Sequence, residues 1–153
     1  MNTLQINKIL RRNFATHNFF RGCFASDQIP NNISGWPWCI VVNMDPSYMS
    51  GSHWVAMFSP KRNLIEYYDS LGMWPPPNPE ICLFLDRFKD VKFNRRAIQS
   101  TRAKNCGKHV IYFLYNRCRG FAFVNICQRL SKLQSSPDNL VNIFIRKRIF
   151  TNV

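Results

Sequence analysis

Residues 53–69, HWVAMFSPKRNLIEYYD, hold two short apolar runs on either side of a turn-forming pentapeptide. Successive side chains of a strand point to opposite faces. His53, Val55 and Met57 then share one face, and Trp54, Ala56 and Phe58 share the other. The runs HWVAMF (53–58) and LIEYYD (64–69) read as two strands, with SPKRN (59–63) as the hairpin loop between them. In such a hairpin the start of one strand lies beside the end of the next, so His53 and Asp69 become neighbours. An acid in that place holds an imidazole in one orientation and tautomer and stabilises its charged form. A histidine beside a tryptophan is also an ordinary structural residue, and an aspartate after two tyrosines an ordinary turn residue. The pair alone decides no chemistry.

Upstream of the hairpin, WCIVVNM (38–44) reads as a buried strand and DPSYMSGS (45–52) as turn chemistry. Downstream, LGMWPPPNP (71–79) is a rigid, proline-rich connection. Asn78 is placed to cap a helix with Pro79 at its first position, running to about Asp90. VKFNRRAIQS (91–100) alternates at first and is expected as another strand, followed by the basic loop TRAKN (101–105). CGKHVIYFLYNRC (106–118) is apolar over most of its circumference and is expected as a central buried helix. Another helix is expected near 121–133, and after SSPD (135–138) a last one from about Asn139 to Phe150. A small antiparallel sheet packed against helices is an α+β architecture, here read as one domain over residues 1–153.

Six cysteines stand at 23, 39, 82, 106, 118 and 127, with no CxxC pair and no metal-ligand spacing. Five lie in apolar surroundings and read as inert core thiols. Cys106 differs, because it follows a polar loop and opens a hydrophobic helix. The positive end of the helix dipole favours a thiolate there, and a histidine partner favours it further. Gly107 carries no side chain, so a substrate can approach the backbone. Gln99, in the loop before Cys106, offers an amide donor for a developing oxyanion beside the Cys106 backbone N–H. His53, Asp69, Gln99 and Cys106 thus supply base, orienting acid, oxyanion donor and nucleophile. Residue types and periodicity by themselves leave a cysteine hydrolase and a plain structural reading both open.

The chain has 153 residues, 46% of them hydrophobic, with thirteen Phe, five Tyr and four Trp. That is enough to bury a core and too apolar for a disordered chain. The opening MNTLQINKILRRNF lacks the apolar segment of a secretory signal, and no stretch approaches the roughly 20 apolar residues of a membrane span. The expectation is a soluble, intracellular, unsecreted monomer with no membrane partner. The net charge of +13 is concentrated after residue 86 and attracts polyanions. Arg95, Arg96, Arg102, Lys104 and the RKR run Arg146, Lys147 and Arg148 are the expected nucleic-acid contacts. The RKR run equally fits a nuclear-localisation signal.

In their order, GSHWVAMF, EYYDSLG and IQSTRAKNCGKHVIYFLYNR resemble the adenain-like cysteine proteases. These are the maturation proteases of adenoviruses and of Polinton/Maverick and adintovirus-type elements. NFFRGCFASDQIP and WCIVVNMDP extend the likeness upstream, so that it covers about residues 18–120. The resemblance implies a cysteine endopeptidase that processes capsid precursors, with His53 as general base, Asp69 as its orienter, Cys106 as nucleophile and Gln99 in the oxyanion hole. It implies a substrate cleft lined by Gly51, Trp54 and Gly107, and a histidine that precedes the cysteine in the chain, unlike papain. It also implies a location in the virion and in the host nucleus or cytoplasm. No cofactor or metal is needed for the chemistry, and DNA is an implied activator that the charge supports independently. The acid here is Asp where adenovirus members usually have Glu, and the chain is shorter than theirs. Cys82, in an expected helix, poorly matches the cysteine that holds a peptide activator, so a peptide activator stays open. A SUMO- or ubiquitin-like isopeptidase shares this fold and triad, and an inactive DNA-binding relic of an integrated element is the rival from another class.

Overall fold

The computed structural model describes residues 1–133 and 136–150. Five strands form one sheet in sequential order: β1 (Phe20–Ala25), β2 (Trp38–Asn43), β3 (Trp54–Lys61), β4 (Leu64–Tyr68) and β5 (Asp90–Phe93). β2–β3 and β3–β4 pair antiparallel, whereas β1–β2 and β4–β5 pair parallel. The sheet is therefore mixed, which corrects the antiparallel expectation. Parallel neighbours need a crossover, and helix α2 (Pro79–Leu85) supplies the one between β4 and β5.

The alternation read in 53–58 survives as two separate cores. Trp54, Ala56 and Phe58 join one apolar cluster, and Val55 and Met57 the other. β2 is buried along its whole length because both faces of the sheet are covered. A continuous apolar run, rather than an alternating one, is what such a strand requires. On the first face lie α1 (Thr3–Arg12), α3 (Cys106–Cys118), α4 (Phe123–Ser131) and α5 (Pro137–Phe144), the last continuing as a π-helical stretch Ile145–Phe150. α2 covers the other face with Ile81, Phe84 and Leu85.

The expected α3 has the bounds read from its sequence. It packs on the sheet through Phe113, whose ring stacks on Tyr68 at 4.4 Å and 2°. Near its far end Arg117 forms a bidentate pair with the buried Glu66 of β4 (2.6 and 3.2 Å) and lies over the Phe58 ring. Helix register against the sheet is thereby tied at both ends of the contact.

Other boundaries move. β3 runs on through Ser59, Pro60 and Lys61, so the hairpin closes at Arg62 and Asn63 instead of over five residues. Asn63 takes the left-handed φ of 65° that asparagine tolerates. Asn78 caps α2 as expected, accepting from the Ile81 N–H at 3.0 Å, but the helix stops at Leu85. β5 ends at Phe93, because the Asn94 side chain is bound to Asp69 and the chain turns away. The final helix begins at Pro137, slightly ahead of expectation. Ser135 of the SSPD connection and residues 151–153 of the 1–153 domain lie outside the described residues.

Candidate active site

His53 immediately precedes β3 and Asp69 immediately follows β4, so the hairpin brings the two together. His53 Nε2 lies 2.6 Å from Asp69 Oδ1, and both residues are buried. The carboxylate is satisfied elsewhere too: Oδ1 accepts from the Leu71 N–H (2.8 Å) and Oδ2 from the Met73 N–H (3.2 Å). Asn94 clamps the Asp69 backbone, accepting from its N–H at 3.0 Å and donating to its carbonyl at 2.6 Å. The turn depends on Gly72, at φ +67°, where a Cβ would come within 2.5 Å of the Arg96 backbone. Neither the strain nor the clash leaves room for another residue.

Cys106 is the first residue of α3 and is half-buried. Its N-cap, Asn105, makes no side-chain cap; the Lys108 N–H donates to the Asn105 carbonyl at 2.8 Å, and Cys106 sits at the positive end of the helix. Cys106 and His53 shift each other's protonation, and with Nε2 committed to Asp69 the imidazole has Nδ1 left to face the sulfur. Burial disfavours the Cys106 thiolate. Hydrogen bonds from His53 and from the backbone of Trp54 and Gly107, together with the imidazolium charge, outweigh it and hold the thiol below its ordinary 9.0. Burial likewise opposes the charged imidazole, but the bonds and charges of Asp69 and Cys106 raise His53 from 6.5 to about 9. Each shift favours the thiolate–imidazolium pair. Other cysteines go the opposite way: burial pushes Cys23 and Cys127 up to about 12 and also raises Cys39 and Cys82.

Gln99 is buried, not solvated. Its Oε1 accepts from Ser70 Oγ at 2.7 Å and its Nε2 donates to the Ala103 carbonyl. A side-chain amide has two N–H groups, so one is left over. The Ile98 and Gln99 N–H groups both donate to the Ser70 carbonyl at 2.8 Å, which fixes this loop to the residue after Asp69.

Of the expected cleft residues, Gly51 and Trp54 line one cavity of about 320 Å³. Gly51 sits at φ +86°, and a Cβ there would press on the Asn43 amide at 2.8 Å. Trp54 is mostly core, with its indole N–H donating to the Met1 carbonyl at 3.2 Å. Gly107 is buried against the Met1 side chain, where an added Cβ would meet Met1 Cβ at 3.1 Å. Arg95, Arg96, Arg102, Lys104, Arg146, Lys147 and Arg148 are not brought into one cluster by sequence: they lie on three separate segments, after β5, before α3 and on the last helical stretch. Arg95 lies over the Phe93 ring at 5.0 Å. Among the described residues no group of three or more His, Cys, Asp or Glu is placed to hold a metal ion, and no helix is long and apolar enough to cross a membrane.

A second histidine–aspartate pair has no counterpart in the sequence reading. His109, one turn into α3, is fully buried with its Nε2 2.9 Å from Asp138 Oδ1 at the start of α5. Asp138 Oδ2 accepts from the Ser100 N–H at 3.0 Å; burial opposes the charged carboxyl, but His109 and Asn105 help hold it below the ordinary carboxylate range. Burial holds His109 below 6.5, so it is the neutral partner. The pair ties both ends of the 100–105 loop to the helices that flank Cys106. Its only sequence signal is a histidine inside an apolar helix, which gives no hint of a partner 29 residues away.

No protein-family model and no curated protein sequence matches this chain. Among solved structures it is similar to the ASFV pS273R protease, with a TM-score of 0.62 and 17% identity over 97% of this chain and 66% of that one. It is also similar to the central domain of the uncharacterized Lpg1148 protein from Legionella pneumophila, with a TM-score of 0.50 and 13% identity over 88% of each chain. The chain thus spans just under two thirds of the protease it matches. At these identities the likeness is one of fold: this α+β chain has the fold of a protease of known structure.

Proposed function

We propose that this chain is a cysteine endopeptidase. The observation that supports it is the line Cys106–His53–Asp69, which ends on a thiol at an uncapped helix N-terminus and below its ordinary range. The Cys106 thiolate attacks a peptide carbonyl, and the Cys106 backbone N–H and the spare Gln99 N–H are the donors proposed for the tetrahedral oxyanion. The His53 imidazolium gives its proton to the leaving amine as the C–N bond breaks. Neutral His53 then takes a proton from water, whose hydroxide attacks the thioester. The acid leaves, and the Cys106–His53 pair is regenerated.

The motif order supports a finer reading, in which the enzyme is adenain-like and its substrates are capsid precursors of a virus or mobile element. It works in the virion and in the host nucleus or cytoplasm, and DNA raises its activity. Turnover of a fluorogenic peptide library tests the chemistry. Activity that vanishes in Cys106→Ala, with circular dichroism unchanged, is the expected result; undiminished turnover in that variant overturns the proposal. Cleavage of ubiquitin-like fusions in preference to all linear peptides would favour the isopeptidase instead, and no turnover of either would favour the inactive relic.

A further inference from the structure

α1 has two stripes. Ile6 and Leu10 are buried in the core, while Gln5, Lys8, Ile9 and Arg12, at helical spacings i, i+3, i+4 and i+7, line a groove of about 720 Å³. Arg148 of the last helical stretch also lines it, beside Ile145 and Ile149, which are themselves buried in the core. Phe14, two-thirds exposed, borders the groove at one place, and Met1 at another. α1 sets Ile9 beside Lys8 and Arg12, Lys108 adds another cation, and no lining residue is acidic. Lys8, Arg12 and Lys108 take no part in the ion pairs of the described residues; Lys108 donates to the neutral Asn142 amide, at 2.6 Å. An apolar floor with a cationic rim between two helices fits the acidic edges and apolar face of an amphipathic segment. A nucleic-acid backbone would meet the cations but gain nothing from the accessible apolar surface of Ile9 and Phe14.

The groove also reaches the candidate active site. Met1 lines both it and the 320 Å³ cavity of Gly51 and Trp54, and Met1 rests against Gly107, the residue after Cys106. We propose that this groove docks an acidic, apolar-faced peptide segment of the protein substrate, about two helical turns long, outside the stretch that is cut. The identity of the occupant as substrate rests on the endopeptidase reading above.

The test is fluorescence anisotropy with the full chain carrying Cys106→Ala, at about 0.15 M salt. The probe is a labelled peptide of about three helical turns with Leu at i, i+3, i+4 and i+7 and Glu elsewhere. Controls are a scrambled peptide of the same composition, a version with Gln for Glu, and duplex DNA as competitor. The patterned acidic peptide is expected to bind at least about tenfold tighter than either control peptide. The exposed double change Lys8→Glu/Arg12→Glu, checked by its circular dichroism melt, is expected to remove that margin. Absent binding, equal binding of the scrambled peptide, indifference to the charge reversal, or full displacement by DNA overturns the proposal. Binding requires no turnover, so the two readings fail separately. If the peptide binds but the wild-type chain cuts nothing, the endopeptidase reading falls. If the chain cuts short peptides but the probe does not bind, the groove falls.

Discussion

Asp69 is fully buried, and its carboxylate takes bonds from His53, Leu71 and Met73. Its orientation is set by backbone donors, so the imidazole it holds is presented to Cys106 in one tautomer. The pH dependence of the site follows. Thiolate is lost as pH falls through the lowered Cys106 value, and imidazolium is lost as pH rises through about 9. kcat/KM is therefore expected to be bell-shaped, with the alkaline limb near 9. In His53→Ala, iodoacetamide should alkylate Cys106 much more slowly near neutral pH, and the midpoint should rise toward that of an ordinary thiol. An unmoved midpoint would show that His53 does not hold the thiolate. Gln99 makes a separable prediction. Its Gln99→Ala variant should lose about 10²–10³ in kcat with little change in KM. A change in KM alone would make it a substrate-binding residue.

At the scale of elements, the chemistry depends on three pieces converging: the β3–β4 hairpin, the 100–105 loop and the start of α3. The hairpin and α3 are legible from residues alone. The alternation in 53–58, the apolar circumference of 106–118 and the loop-to-helix position of Cys106 each have a local physical cause. What holds the loop is not legible. Asp138 reaches Ser100, Asn105 and His109 from a helix that follows them in the chain, and long-range pairing leaves no periodic trace. β1 and α1 are absent from the sequence reading for different reasons. β1 is interrupted by Gly22 and shows no strong pattern, whereas α1 does carry a signal, the Asn2–Gln5 capping box ahead of Ile6 and Leu10. The parallel pairings of β1 and β5 depend on crossovers that strand composition does not encode. The Asp138 bonds carry a prediction of their own. Asp138→Ala should lower kcat more than it raises KM while the fold is retained, with a stability loss of about 1–3 kcal/mol from the unpaired buried groups. Urea denaturation and peptide kinetics measure the two separately. Normal kcat at reduced stability would show that the pair is structural only.

Across the whole molecule, the charge is more lopsided than its total says. Of the eight acidic side chains, Glu66, Asp69 and Asp138 are buried and paired with Arg117, His53 and His109. After Asp90 the only acidic side chain is Asp138, so among the described residues of that stretch no exposed acidic side chain offsets the lysines and arginines. Arg95, Arg96, Arg102, Arg146 and Lys147 are exposed there, with Lys104 in the same loop as Arg102. Arg117 is withdrawn by Glu66. Such a surface is expected to bind duplex DNA without sequence preference, through phosphates and counterion release. If about five phosphates are neutralised, log affinity should fall against log salt with a slope of about −4 to −5. Unrelated duplexes should give the same slope. Replacing Arg102 and Lys104 by Gln should make it shallower by about one for each phosphate that is no longer neutralised, while peptide cleavage without DNA stays as it was. The measurement is anisotropy of labelled duplexes across a salt series. A flat dependence, or no binding at low salt, would mean that the charge only keeps the molecule apart from its neighbours.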